Sequence, residues 1–336
     1  MKKVNLIAIM IVVLVLFVAF VAVVALFYSG NKEDSTTQIT SGASLLSDNY
    51  NILLLGRDKT AGLSDVITIA SIDMKNNNVN IMQIPRDTYF NYGNDEHNKI
   101  NGAPCVIGVS SFSDRLAQTL GIDIDYYLSL DLDVLEEIID MISGIDIEVP
   151  LDMDYDDPAQ NLSIHLKAGK NHLNGKEAIG FLRYRSGYVT GDIGRLDAQK
   201  LFMDAFFTRF SEQKNFVVFY NVFKLVSAKT ETNIREQDII SMGLKMNSKK
   251  DMKVYYMTAP GEAVRSDKSG AWYYILSSPS MSELLKNGFG AYEKDFDKNN
   301  KFVDKQVKSF YDIYKKRCEY KIYSAEEVKS NKININ

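Results

Sequence analysis

Apolar positions divide the chain into three stretches. Leu6 to Tyr28 is an unbroken run of 23 residues with no charge and no proline. A bilayer needs roughly 20 such residues at about 1.5 Å of rise each, so the run predicts one transmembrane helix. Ser29 to Asp48 is small and polar and predicts a flexible linker. From Asn49 onward, short apolar runs alternate with turn residues. Asn51-Ile-Leu-Leu-Leu55, closed by Gly56, predicts a buried strand. Asp65–Ile72 and Val79–Ile84, joined by Lys75-Asn-Asn-Asn78, predict a hairpin that Pro85 ends.

Further along, the spacing becomes helical. Ser110–Leu120 places Leu116 and Leu120 on one face. Val134–Ile142 carries Leu135, Ile138, Ile139 and Ile142 as a buried stripe, with Asp131 or Asp133 as its cap and Gly144 as its stop. Asn174-Gly-Lys-Glu177 opens a helix through Leu182. Arg195–Phe210, Phe216–Val226 and Asp238–Met246 also read as helices. Tyr126–Leu130, Ile145–Val149, Val254–Met257 and Trp272–Leu276 read as strands. Beyond Met281 the chain is Lys-rich and aromatic, and only Phe302–Tyr314 has a helical look. Strands alternating with helices predict an α/β domain whose central sheet is mixed, in part antiparallel. The expected division is a tip at 1–5, a transmembrane helix at 6–28, a linker at 29–48, one domain at 49–278 and an appendage at 279–336.

Charge orients this layout. Lys2 and Lys3 precede the apolar run, while Glu33 and Asp34 follow it. The positive-inside bias puts the N-terminus in the cytoplasm and the domain outside. The rival reading, a cleaved signal peptide, has a shorter apolar core of roughly 7–15 residues and a small-residue cleavage site. Ala19, Ala22 and Ala25 are three apart and never form Ala-x-Ala, so a retained anchor is expected. Net charge is −4, which gives no basic field for nucleic acid. Cys105 and Cys318 lie far apart and read as free thiols. His97, His165 and His172 have no zinc-ligand spacing. Walker, Gly-x-Ser-x-Gly and dinucleotide fingerprints do not occur.

The candidate chemistry sits at segment ends. Asp58 and Asp65 bracket the loop between the first two strands. Taken singly, either is an ordinary turn carboxylate; together they suit a hard cation such as Mg²⁺. Arg86 follows Pro85. Arg183 and Arg185 are two apart, so they point the same way on an extended segment, with Tyr184 opposite, and splay apart on a helix. Asp192 and Arg195 follow in Gly191-Asp-Ile-Gly-Arg195. Any one of these arginines alone reads as a surface ion pair. Four of them with two carboxylates describe a pyrophosphate grip, because guanidinium binds phosphate through two parallel hydrogen bonds.

These motifs, Asn51-Ile-Leu-Leu-Leu-Gly-Arg-Asp58, Ser64-Asp65, Ile84-Pro-Arg-Asp-Thr88, Lys99-Ile-Asn101, Leu173-Asn-Gly-Lys-Glu-Ala178, Arg183-Tyr-Arg185 and Asp192-Ile-Gly-Arg195 with Gln199, resemble the LytR-CpsA-Psr family in content and order. The resemblance covers roughly Asn49 to Leu276. It implies a single α/β/α domain of that family's type behind one transmembrane helix. The implied activity is a Mg²⁺-dependent phosphotransferase at the outer face of the cell membrane in a Gram-positive-type envelope. It would move a glycopolymer, such as teichoic acid or capsule, from an undecaprenyl-pyrophosphate carrier to peptidoglycan. Partners would be the polyprenyl-pyrophosphate-linked glycopolymer, peptidoglycan and membrane lipid, with no nucleic acid. Asp58 and Asp65 would hold the metal. Arg86, Arg183, Arg185, Arg195 and Gln199 would grip the pyrophosphate, with Asp192 ordering Arg183 or Arg185. Asp58, Arg86, Arg183 and Arg185 would form the catalytic set, and Asp58 or Asp87 would be the base. Leu63 and Ala198 stand where many members carry Arg, leaving Arg57, Lys59 or Lys200 to substitute. The alternative is a non-catalytic lipid-pyrophosphate binder, or a pyrophosphatase, that senses wall precursors.

Overall fold

The computed structural model describes residues 49–58, 62–93, 98–158, 162–185, 187–189, 192–213, 216–235, 238, 242, 252–291 and 296–330. The apolar run at 6–28, the linker and most of the helix expected at 238–246 lie outside the described residues. Among those described, no helix is long and apolar enough to cross a membrane.

The first three strands are β1 (Asn49–Asp58), β2 (Leu63–Asp73) and β3 (Asn78–Gln83), an antiparallel meander with the expected hairpin between β2 and β3. A 3-10 turn at Ile100–Gly102 leads into α1 (Ala103–Ile107) and α2 (Val109–Leu120). Then come β4 (Tyr126–Asp131) and α3 (Leu132–Met141). Two small antiparallel pairs follow. One joins β5 (Ile145–Val149) to β8 (Gly169–Leu173), and the other joins β6 (Met153–Asp157) to β7 (Leu162–Leu166). The chain continues through α4 (Gly175–Arg183), α5 (Asp192–Glu212), α6 (Phe216–Lys229), β9 (Glu231–Thr232) and β10 (Lys253–Thr258). The hairpin β11 (Gly261–Arg265) and β12 (Trp272–Leu276) precedes α7 (Ser278–Gly288), α8 (Lys308–Lys315), β13 (Ile322–Ser324) and α9 (Ala325–Lys329).

The central sheet has the order β13-β10-β3-β2-β1-β4-β9. It is parallel at β1–β4 and β3–β10 and antiparallel elsewhere, hence mixed as expected. Side chains alternate across a strand, so β1 feeds two cores. Tyr50 and Ile52 join Ile138, Ile139, Phe181 and Phe202 on one face. Leu53 and Leu55 join Phe112, Leu116, Leu284 and Phe310 on the other. Burial on both faces explains the uninterrupted apolar run of β1.

The segment after residue 278 is part of this packing. Phe296, Phe302, Val307, Phe310 and Tyr314 lie in the second core, Ala325 and Val328 lie in the first, and β13 pairs with β10. The helix expected over Phe302–Tyr314 forms only at Lys308–Lys315. Before it, Phe302 stacks on Phe296 at 5.4 Å and its N–H donates to the Asp297 carboxylate at 3.0 Å, which holds the chain in a loop.

α4, whose end carries Arg183, is locked at its start. Asn174 and Glu177 form a reciprocal capping box, each accepting the other's backbone N–H at 3.0 Å. A Cβ on Gly175 would sit 2.3 Å from the main-chain oxygen of Glu136 in α3. Gly175→Ala is therefore expected to cost about 1–3 kcal/mol, the usual range for overpacking. Urea unfolding followed by near-UV circular dichroism measures it.

Candidate active site

The site begins with an irregularity in the sheet. β1 and β2 pair Gly56 with Val66, then Arg57 with Ser64. Asp65 is thus the extra residue of a β-bulge, a device that re-aims one side chain at a sheet's rim. Gly56 permits the close approach: a Cβ there would lie 3.0 Å from Val66 Cβ. The sequence placed Asp58 and Asp65 in a loop. The pairing instead continues to Asp58 and Leu63, so both carboxylates belong to strand ends. The Asp58 side chain lies outside the described residues.

Three arginines meet Asp65. Arg86 leaves the end of β3 in a turn closed by the Thr88 N–H on the Pro85 carbonyl at 3.0 Å. Its Nη1 reaches Asp65 Oδ1 at 2.7 Å. Arg185, just past α4, places Nη2 3.3 Å from Oδ2 and 3.4 Å from Oδ1. Arg195, on the second turn of α5 and 1% exposed, donates from Nη1 to the Asp65 main-chain oxygen at 3.1 Å. Burial pushes the Asp65 carboxyl up. The Arg86 hydrogen bond and the charges of Arg86, Arg185 and Arg195 outweigh this and hold it below its ordinary value. Arg86 also lies 4.0 Å from Asp87 Oδ2, so guanidinium and carboxylate groups gather together at this strand end.

Arg183 ends α4, half-buried, whereas Arg185 follows an extended Tyr184. Tyr184 is buried edge-on against Tyr188 at 5.7 Å, and because Arg183 is still helical the two arginines do not lie on one extended segment. Asp192 is the first residue of α5, with its side chain outside the described residues. Gln199, one turn after Arg195, is buried and its Oε1 accepts from Gln83 Nε2 at 3.2 Å.

Gln83 belongs to a layer that sequence reasoning missed. Ser64 Oγ, Thr68 Oγ1, Gln83 Oε1 and Gln199 Nε2 are buried and find no hydrogen-bond partner among the described residues. Thr68 and Gln83 sit opposite one another on β2 and β3. Polar residues recur along both strands, Asn78 and Asn80 in β3 and Ser71 in β2 among them, so nothing local singled these positions out. Buried polar atoms are normally satisfied, so this layer has hydrogen-bonding capacity left for a ligand or water.

Neither described substitute for the arginines absent at Leu63 and Ala198 turns to the cluster. Arg57 Nε bonds Asp131 at 3.0 Å. Lys200, 1% exposed, bonds Asp197 at 2.6 Å and Thr258 Oγ1 at 3.0 Å. Lys59 lies outside the described residues. Asp87 pairs with Lys99 at 2.8 Å.

Comparison with known proteins decides the family. The profile of the LytR_cpsA_psr family matches residues 21–289. The chain belongs to this family. Among LytR-CpsA-Psr relatives, it is 27% identical over 266 residues to the polyisoprenyl-teichoic acid–peptidoglycan teichoic acid transferase TagV of Bacillus subtilis (strain 168), covering 76% of this chain and 67% of TagV. It is 26% identical over 246 residues to the transferase of the same description, TagU, of Bacillus anthracis, covering 71% of this chain and 77% of TagU. The crystal structure of B. subtilis TagV superposes with a TM-score of 0.60 at 27% identity, over 72% of this chain and 96% of that one. The α/β fold with its central mixed sheet is therefore that of LytR-CpsA-Psr structures. The β13 strand and helices α8 and α9 lie beyond the residues that the family profile matches.

Proposed function

We propose that this chain is a membrane-anchored, extracellular phosphotransferase. It moves a glycopolymer with its attached phosphate from a polyprenyl-pyrophosphate carrier to a hydroxyl of peptidoglycan, forming a phosphodiester and releasing the carrier as prenyl monophosphate. The observation that carries the reading is the convergence of Arg86, Arg185 and Arg195 on Asp65, with Gln199 and the polar layer behind them. Its similarity to the teichoic acid transferases TagV and TagU supports it.

Phosphoryl transfer asks little covalent work of a protein; it asks for positioning and charge neutralisation. Arg86 and Arg185 bind phosphate oxygens and release the Asp65 carboxylate as they do so. Arg195 and Gln199 act from beneath, on α5. In this reading Arg183, at the end of α4, supplies a further guanidinium, and Asp192 orders Arg183 or Arg185. Asp87, paired with Lys99 at 2.8 Å and 4.0 Å from Arg86 Nε, is the base for the acceptor hydroxyl in this reading.

The donor set fits Mg²⁺. Asp65 is ionised, the form a hard cation takes, and Asp58 ends the neighbouring strand. Such an ion needs only one or two carboxylates, completing its shell with water and phosphate oxygens. Bound there, it neutralises charge on the pyrophosphate.

The test is transfer of a labelled sugar from a prenyl-pyrophosphate donor to peptidoglycan by the purified full-length chain. Chelation with EDTA is expected to lower the rate at least about tenfold, and added Mg²⁺ to restore it, the cation's charge contribution being worth several kcal/mol. The absence of Arg at Leu63 and Ala198, with Arg57 and Lys200 engaged elsewhere, favours a second reading as a lipid-pyrophosphate binder. That reading gives tight donor binding with no transfer. Phosphate released without acceptor marks a pyrophosphatase.

A further inference from the structure

Positive charge in this chain is concentrated near its end. Residues 298–321 carry eight lysines and arginines against three acidic residues, whereas the whole chain has a net charge of −4. Residues 146–157, by contrast, carry six carboxylates and no lysine or arginine. The basic segment lies beyond the residues that the family profile matches. A charged run is usually a solvated face whose charges are paired. Part of this one is: Lys308 pairs with Asp312 at 3.1 Å, Lys316 with Glu262 at 2.6 Å, and Arg317 with Glu283. Lys301, Lys305 and Lys315 make no ion pair among the described residues. Lys305 and Lys315 are exposed, and Lys301 is half-buried.

These three cations form one cluster. Lys315 Nζ lies 4.3 Å from the centre of the Tyr311 ring, one turn back on α8. A hydrogen bond from Lys315 and the charges of Lys315 and Lys305 pull the Tyr311 phenol below its ordinary value, against desolvation. Burial pushes the Asp297 carboxyl up to about 7, against the N–H groups of Phe302 and Lys301 and the charges of Lys305 and Lys301. Lys305 therefore neighbours both Lys301 and Lys315.

The cluster is tied to the segment that leaves the arginine grip. The Asn91 N–H donates to the Lys301 carbonyl at 2.7 Å, the Phe90 ring lies 5.1 Å from Phe302, and the Tyr89 ring lies 5.3 Å from Phe310. Arg86 is five residues before Asn91, a stretch that spans at most about 18 Å. Lys99 gives a second link: its Nζ is 2.8 Å from Asp87 and 5.6 Å from the Tyr273 ring, which is 5.2 Å from Phe310. Phe302, Phe310 and Tyr314 are turned into the second core, so they are not available to seat the basic segment in a bilayer. What suits the surface is a soluble polyanion with phosphates repeated along it, each met by an ammonium group as a point charge.

We propose that Lys301, Lys305 and Lys315 form an electropositive track that holds the glycopolymer beyond its linking pyrophosphate, and that this polymer bears phosphate along its length. The inference rests on the phosphotransferase reading and narrows its substrate from glycopolymers in general to polyanionic ones. A polymer whose first phosphate sits on Arg86 meets the track within a few repeats.

The test is calorimetric titration of the full-length chain in phosphatidylcholine nanodiscs with three probes. They are a poly(glycerol phosphate) oligomer, a neutral dextran of equal length and a short-chain prenyl pyrophosphate. The oligomer is expected to bind, more weakly as salt rises from about 50 to 300 mM, and the dextran is not. Lys301→Gln, Lys305→Gln and Lys315→Gln together should weaken the oligomer about tenfold, each exposed pair contributing roughly twofold. Arginine at the same three positions should keep the parent affinity, and prenyl pyrophosphate should bind all three proteins alike. Equal oligomer binding by the parent and the glutamine variant, with prenyl pyrophosphate bound, overturns the track and leaves the phosphate grip standing. If, in addition, discs containing phosphatidylglycerol shield these lysines from an amine-reactive label without any oligomer, they belong to the bilayer instead. Failure of prenyl pyrophosphate to bind overturns the phosphotransferase reading and the track with it.

Discussion

Replacing Arg86 with alanine is expected to slow transfer by about a hundredfold to a thousandfold, the usual loss when one preorganised donor to a developing anion is removed. Arg86 makes the shortest of the contacts on Asp65, 2.7 Å, from a side chain only 20% exposed. The fold should survive, because Arg86 projects from a turn that the backbone closes through Thr88 and Pro85. A second readout follows from Asp65. Burial pushes its carboxyl up, and Arg86 supplies the leading opposing influence. Without Arg86 the carboxyl titrates at a higher pH, so the acid limb of the variant's pH–rate profile moves upward. Stability behaves consistently. A depressed carboxyl pKa contributes stability that is present above the unfolded value of 3.8 and lost as pH falls through the folded one. Arg86→Ala should therefore lose less stability than the parent on acidification. Steady-state kinetics across pH and acid titration of the folded state check the two limbs.

Asp197→Ala is expected to cost about 3–5 kcal/mol of stability, the penalty for leaving a buried charge without its partner. Lys200 is 1% exposed, and its ammonium is held by Asp197 at 2.6 Å and Thr258 at 3.0 Å. Burial already pushes the Lys200 amine below its usual value, against the pull of Asp197. In the variant burial acts unopposed. The unfolded chain then binds a proton that the folded chain sheds, so stability rises with pH towards the ordinary lysine value. The deficit should be smaller near pH 9 than at pH 7 in urea unfolding. Asp197→Leu with Lys200→Met should recover most of it, since apolar replacement of a whole buried pair is commonly neutral. The pair also joins α5 to β10, and α5 carries Arg195 and Gln199.

Where one local period decided a segment, the sequence was enough to read it. The unbroken apolar run of β1, the alternating hairpin of β2 and β3, and the Ile138, Ile139 and Ile142 stripe of α3 all appear as expected. α3 stops before Gly144: Ser143, at a φ of +64°, is the first left-handed residue, and the Gly144 N–H closes the turn on the Ile139 carbonyl at 2.9 Å. Asp131 precedes α3, but its carboxylate accepts from Arg57 rather than from a helix amide. The residues of the arginine cluster were also legible as types: Asp65, Arg86, Arg185 and Arg195 meet as one group. What stayed hidden depends on long-range register. The bulge at Asp65 exists only in the pairing of two strands. The Ser64, Thr68, Gln83 and Gln199 layer assembles from β2, β3 and α5. β13 has three residues and becomes a strand only against β10. The aromatic residues Phe296, Phe302 and Phe310 follow no helical spacing because they pack on Tyr89, Phe90 and Tyr314 from separate segments. α7 was legible and passed over: Ser277 caps it and Pro279 lies in its first turn.

The most direct measurement is a crystal structure of residues 49–336 soaked with Mg²⁺ and a short prenyl pyrophosphate. Pyrophosphate oxygens are expected on Arg86, Arg185 and Arg195, metal on Asp65 and Asp58, and the Asp65 carboxylate released from Arg86. Pyrophosphate bound elsewhere, with Arg86 and Arg185 still paired to Asp65, would contradict it.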